Sequence, residues 1–223
     1  MKLLLVRHGN TVTSDQTPVR VGANEDLSLT DEGENQARTM ATALKTAGIK
    51  PDLFIAGPLQ RTRRHATLIR EGLELPNAAE IEIDRRLTEI DYGSWGGLSD
   101  AEIVARFGPE AERELQAWEK ESRWPTATAT WSPGGKAVTA NVADLTAELA
   151  DRLPPDGIAM VCSSNGILRY FLEMTAEGLA AHQAAGRAKM STGAASLLRI
   201  DQGRADVLFW NLKAGQPVPT AGD

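Results

Sequence analysis

Near its start the chain reads Lys2-Leu3-Leu4-Leu5-Val6-Arg7-His8-Gly9-Asn10-Thr11, a short apolar run that stops abruptly at Arg-His-Gly. Such a run, bounded by a turn signal, reads as a buried strand whose backbone turns at Arg7. The same figure recurs twice. Residues 52–56 are followed by Gly57-Pro58, and residues 158–163 by Ser164-Asn165-Gly166. Helical patterns separate these runs, and strands alternating with helices predict a three-layer α/β/α sandwich with a mostly parallel central sheet. Ligands of such sheets sit beyond the carboxyl ends of the strands. Here those ends carry polar residues 7–10, 58–61 and 163–165.

Working outward, Thr30 caps a helix whose first turn holds Asp31 and Glu32 against the positive dipole end, and Gly48 closes it. A second helix over residues 60–72 puts Ala66, Ile69 and Leu73 on one face and Arg61 in its first turn. Residues 80–83 alternate like a half-exposed strand, and residues 87–97 form an irregular, glycine-rich connection. Ser99 with Glu102 makes a capping box, and Pro109 suits the start of the next helix. Residues 122–136 contain Trp124 and Trp131, which predicts a long ordered excursion, since tryptophans need burial. Val138, Val142, Leu145 and Leu149 keep helical spacing. Residues 195–200 and 207–210 around Asp201-Gln202-Gly203 predict a hairpin. We therefore expect one domain over residues 1–210, with about 106–137 an inserted helical and loop excursion over the site, and a loose tail over 211–223.

The formal charge of -6, with no extended Lys or Arg run, offers no field for nucleic acid or anionic lipid. An anionic partner must be small and locally held. Residues 3–6 are too short for a signal-peptide core, and no later stretch approaches ~20 apolar residues, so a cytoplasmic protein away from membranes is expected. Cys162 is alone, which makes an internal disulfide impossible. No cluster of His, Cys and carboxylates has metal-ligand spacing, and no cofactor is expected.

Four segments in order carry a resemblance. Leu5-Val6-Arg7-His8-Gly9-Asn10-Thr11, Gly57-Pro58-Leu59-Gln60-Arg61-Thr62, Leu87-Thr88-Glu89-Ile90-Asp91-Tyr92-Gly93-Ser94-Trp95 and residues 161–169 resemble the motifs of the histidine phosphatase and phosphoglycerate mutase superfamily. Asp26 to Gly33 resembles the segment leading that family's first helix. The resemblance implies the phosphoglycerate mutase-like fold, a phosphohistidine on His8, and Glu89 as proton donor and acceptor, with Asp91 its close competitor. It further implies a phosphate pocket built from Arg7 and Arg61 with help from Asn10 and Thr11. The chemistry agrees: phosphoryl transfer needs fixed positive donors on the equatorial oxygens, and two guanidinium groups lower the pKa of a neighbouring imidazole. Where the family presents a second pocket histidine, this chain has Ser164. Ser164 and Asn165 then offer only neutral hydrogen bonds, and His65 or, less directly, His182 are the histidines available to compensate. Asn10 and Ser14 are further departures from the family's pattern.

The first expectation is thus a metal-independent phosphomonoester phosphatase acting on a small phosphorylated substrate or phosphoprotein. Its rivals are a phosphoglycerate-type phosphomutase, against which residues 92–98 resemble the phosphatase branch, and a phosphate-binding regulatory protein that has lost turnover. Residues 15–26 and 122–136 are expected to set specificity. Trp118, Trp124 and Trp131 are expected to pack rather than to stack on a ligand.

Overall fold

A computed structural model describes residues 1–219. Its six strands are β1 (Lys2–Arg7), β2 (Leu53–Ala56), β3 (Ile81–Ile83), β4 (Ile158–Ser163), β5 (Ala195–Asp201) and β6 (Arg204–Leu212). They form one sheet in the order β3-β2-β4-β1-β5-β6. The pairs β2–β3, β2–β4 and β1–β4 are parallel, whereas β1–β5 and β5–β6 are antiparallel. The helices are α1 (Asp31–Thr46), α2 (Gln60–Leu73), α3 (Asp100–Phe107), α4 (Pro109–Glu121), α5 (Gly135–Arg152), α6 (Asn165–Leu168) and α7 (Gly178–Ala184).

The apolar run in β1 explains the layers. Side chains alternate across a strand, so Leu4 and Val6 join one core and Leu3 and Leu5 the other. The first core receives Ala37, Met40 and Leu44 of α1 and Ala66, Ile69 and Leu73 of α2. The second receives Val138, Val142, Leu145 and Leu149 of α5. Fully burying each such leucine is worth about 1.5–3 kcal/mol, so a strand buried on both faces is the keel of the fold.

The caps are as expected. Thr30 accepts from Gly33 N, and Ser99 and Glu102 form a complete capping box at α3. The excursion is ordered around Trp131, whose ring lies edge-on to Tyr92, Trp95, Trp118 and Trp124 at centroid distances of 4.8, 5.5, 4.9 and 5.5 Å. Glu114 of α4 accepts from Ala127 N at 2.8 Å and from Thr126 N and Thr128 Oγ1 at 2.5 Å, pinning the segment that leads to Trp131.

Two boundaries differ from expectation. The hairpin turns on Gln202 and Gly203 alone, at φ 46° and 75°, so β6 begins at Arg204 rather than near residue 207. The tail does not begin at 211. Asn211 donates its N–H to Ser196 Oγ and accepts from Ser191 N at 2.6 Å, β6 runs to Leu212, and Val218 is buried against the α1 core. Side-chain hydrogen bonds and one apolar anchor order what composition alone left loose. Residues 220–223 of the expected tail lie outside the described residues.

Candidate active site

Strand register brings the three polar segments together. Arg7 pairs with Ser163 and Ala56 with Cys162, so the carboxyl ends of β1, β4 and β2 lie side by side. His8 N donates to Ser163 O at 3.1 Å and Gly57 N to Cys162 O at 3.0 Å. A cavity of about 570 Å³ opens over these ends, with Arg7, His8, Asn10, Thr11, Glu89 and Asn165 in its wall.

The loop after β1 lies directly on the first turn of α1. A Cβ on Gly9 would collide with the Gly33 carbonyl, and one on Gly33 with the Asn10 carbonyl, so only glycine fits at either side of this contact. Asn10 N donates to Gln36 Oε1 at 3.0 Å, which ties the loop to α1 a second time. His8 Nδ1 lies 2.8 Å from Gly9 O, an acceptor only, so Nδ1 carries the proton and Nε2 keeps its lone pair. Burial, then the charges of Arg7 and Arg61, hold the His8 pKa well below its ordinary value. The imidazole is neutral near pH 7.

Two guanidinium groups flank it. Arg7 Nη1 donates to Met190 O at 2.5 Å, and Met190 N donates to Asn165 Oδ1 at 2.8 Å. One residue, Met190, thus links Asn165 to Arg7, and with its oxygen committed Asn165 keeps its amide NH2 as donor. Arg61, from the first turn of α2, is fully buried behind the cavity wall rather than in it. Its Nη1 and Nη2 are given to Glu25 O at 2.7 Å and Gly22 O at 2.9 Å. Among the described residues, Arg7 Nε, Arg61 Nε and Ser164 Oγ are buried without a hydrogen-bond partner. Orphaned buried donors of this kind are costly unless an acceptor completes them.

Of the two candidate carboxylates, Glu89 lines the cavity and Asp91 does not. Glu89 accepts from Ile90 N at 2.9 Å and Gly166 N at 3.2 Å, and a Cβ on Gly166 would run into Glu89 Oε1. Burial raises the Glu89 pKa, against those hydrogen bonds and the charges of Arg61 and Arg7. Asp91 instead caps Gly93 N at 2.8 Å, and its backbone pairs with Ser132.

Neither spare histidine supplies a second charged donor. His65 Nδ1 accepts from Gly9 N at 3.0 Å, which braces the loop from beneath, and burial pulls its pKa down to about 3. His182 lies on α7 beside Thr175, away from the cavity wall. Ser164 is buried as the residue before α6 and lies behind that wall, whereas Asn165 is in it. The expected specificity loops divide: Thr17 to Val21 line the cavity, and residues 122–136 do not, because their tryptophans turn into the second core.

Arg20, Arg169 and Lys189 also line the cavity and were not among the expected site residues. Arg169 closes the last motif segment, four residues after Asn165. That helical spacing was the available signal.

Fold and site together define an α/β protein with a cavity at the carboxyl ends of parallel strands, lined by one neutral histidine and by Arg7, with Arg61 buried behind it. The chain belongs to the histidine phosphatase superfamily, branch 1, whose family model matches residues 3–213. Among solved structures it resembles a mycobacterial glucosyl-3-phosphoglycerate phosphatase in complex with VO3, at 25% identity over 95% of this chain and 99% of that one, with a TM-score of 0.75. It also resembles a protein described as mycobacterial hydrolase 1, at 24% identity over 96% and 99% of the two chains, TM-score 0.77. The α-ribazole phosphatase of Shigella flexneri matches at 22% identity over 96% and 98%, TM-score 0.71. No helix among the described residues is long and apolar enough to cross a membrane.

Proposed function

We propose that this protein hydrolyses phosphate monoesters through a phosphohistidine on His8. The observation that carries this is the pairing of a tautomer-fixed, neutral His8 with buried guanidinium groups whose Nε donors have no protein partner. The Nε2 lone pair attacks phosphorus while the ester P–O bond breaks, and protonated Glu89 gives its proton to the leaving alkoxide. Glu89 then takes a proton from water, the water oxygen attacks phosphorus, and the P–N bond breaks to release inorganic phosphate and regenerate His8. Its raised pKa suits Glu89 to both halves. Arg7 stabilises the charge on the equatorial oxygens from the wall and Arg61 adds its positive charge from behind it, with Asn10, Thr11 and Asn165 adding neutral donors. The VO3 complex of the mycobacterial relative supports an oxyanion pocket of this kind. A metal is not required by this chemistry, and the described residues bring together no metal-ligand set of three or more His, Cys, Asp or Glu.

Ser164, at the place where the resemblance puts a second histidine, favours a second reading: a pocket that binds phosphate and turns over slowly. Released phosphate, measured across phosphorylated metabolites and phosphopeptides in the presence of EDTA, decides between them. Turnover that disappears in His8→Ala is expected. Phosphate binding with no release from any substrate would leave the regulatory reading in its place.

A further inference from the structure

Beyond the groups assigned to the transferring phosphate, the same cavity is lined by Arg20, Arg169 and Lys189 together with Trp118, Asp100 and Glu119. Arg169 is the telling residue. It is 3% exposed, yet the described residues give it no carboxylate within ion-pair distance. Its Nε reaches Asn165 O and its Nη1 reaches Ser122 Oγ, both at 3.3 Å, and its guanidinium lies 4.4 Å over the Trp118 ring. A buried cation held only by neutral oxygens and a π face is incompletely compensated.

The neighbouring charges have the same character. Arg20 is bonded to Asp100 at 2.9 Å but reaches Glu119 only at 3.8 Å, and Lys189 stands 3.9 Å from the other Glu119 oxygen. Both Glu119 distances exceed hydrogen-bond length, and its side chain is 45% exposed. Glu119 therefore stands between two cations without bonding either, and a small rotation removes it. Three cations face two carboxylates here, in a chain whose formal charge is -6.

We infer that this part of the cavity is a second anion subsite, and that the substrate is a phosphate monoester whose alcohol portion carries another anionic group, a carboxylate or a further phosphate. Arg169, Arg20 and Lys189 hold that group, and Glu119 is the carboxylate it displaces. The inference rests on the phosphatase reading for the placement of the first phosphate. A cavity of about 570 Å³ has room for both groups.

Calorimetric titration with non-hydrolysable phosphonates tests it, using one short carbon chain ended by methyl, carboxylate, a second phosphonate or ammonium. The anion-ended compounds are expected to bind at least ~10-fold more tightly than the methyl-ended one at low salt, and whichever anion binds better names the second group. That ratio should fall towards one in Arg20→Gln/Lys189→Gln. It should rise in Glu119→Gln, a change on a half-exposed side chain that reports even if the double variant does not fold. Equal affinity whatever the tail, or a preference for ammonium, overturns the subsite and leaves the phosphatase reading standing. If neither inorganic phosphate nor any phosphonate binds, the phosphatase reading fails and takes the subsite with it.

Discussion

At Ser164 a small hydroxyl stands where the resemblance expects an imidazole, and its Oγ is buried without a partner among the described residues. Arg7 stands in the cavity wall and Arg61 behind it, so on the proposed reading the pocket lacks a charged donor rather than a scaffold. Ser164→His is expected to raise turnover by up to ~10²-fold, because each preorganised donor to the developing charge is worth a few kcal/mol in the transition state. Steady-state kinetics on the same substrate check this, and the gain should vanish when His8→Ala is added. An unchanged rate in a folded variant would mean that the residue before α6 does not reach the phosphoryl group. His65 shows why such a residue was hard to interpret beforehand. A histidine four positions after Arg61 shares its helical face, but only the fold reveals that Gly9 N–H already occupies its Nδ1.

Helix α4 acts as an element through one carboxylate. Glu114 gathers the N–H groups of Thr126, Ala127 and Thr128 and the Thr128 hydroxyl, while Trp118 and Glu119 on the same helix face the cavity. Glu114→Ala leaves those donors unsatisfied and is expected to cost about 2–3 kcal/mol, with Glu114→Gln losing less because it keeps an acceptor oxygen. Urea unfolding measures the loss. Tryptophan fluorescence should shift before global unfolding, since Trp131 follows the segment that Glu114 holds. A variant as stable as the wild type would show that the excursion is held by its aromatic cluster alone.

The whole molecule pays for its site in pH range. His8 and His65 are both buried and held neutral, while unfolded histidines titrate near 6.5. Below that value the unfolded chain binds protons that the folded protein refuses. Stability is therefore complete above pH 6.5 and falls as the pH drops, until His65 itself titrates at about 3. Each histidine contributes a slope of up to about 1.4 kcal/mol per pH unit. Glu89, whose pKa is raised, acts in the opposite sense and offsets part of it at the acid end. His65→Asn, which keeps an acceptor for Gly9 N–H, should flatten the decline between pH 6.5 and 4.5 in urea midpoints. The same slope in variant and wild type would remove His65 from the explanation.

The sequence by itself determined the layers and the strand ends, including the one that carries Arg7 and His8, because both are written locally. A four-residue apolar run in β1 specifies burial on both faces, and a glycine after Arg7-His8 specifies the turn. The capping box at Ser99 and the helical spacing of Val138 to Leu149 are local in the same way, and both were realised. What only the tertiary structure decided depends on residues far apart in the chain. The choice of Glu89 over Asp91 for the cavity wall follows from Gly166, 77 positions later, whose missing side chain makes room for the carboxylate. The withdrawal of Arg61 behind the wall follows from the carbonyls of Gly22 and Glu25. Arg20, Arg169 and Lys189 share one cavity although 149 positions separate Arg20 from Arg169. Charged side chains carry no pattern that announces their partners, since electrostatic contact is set by distance in space and burial, and the packing of the whole fold fixes both.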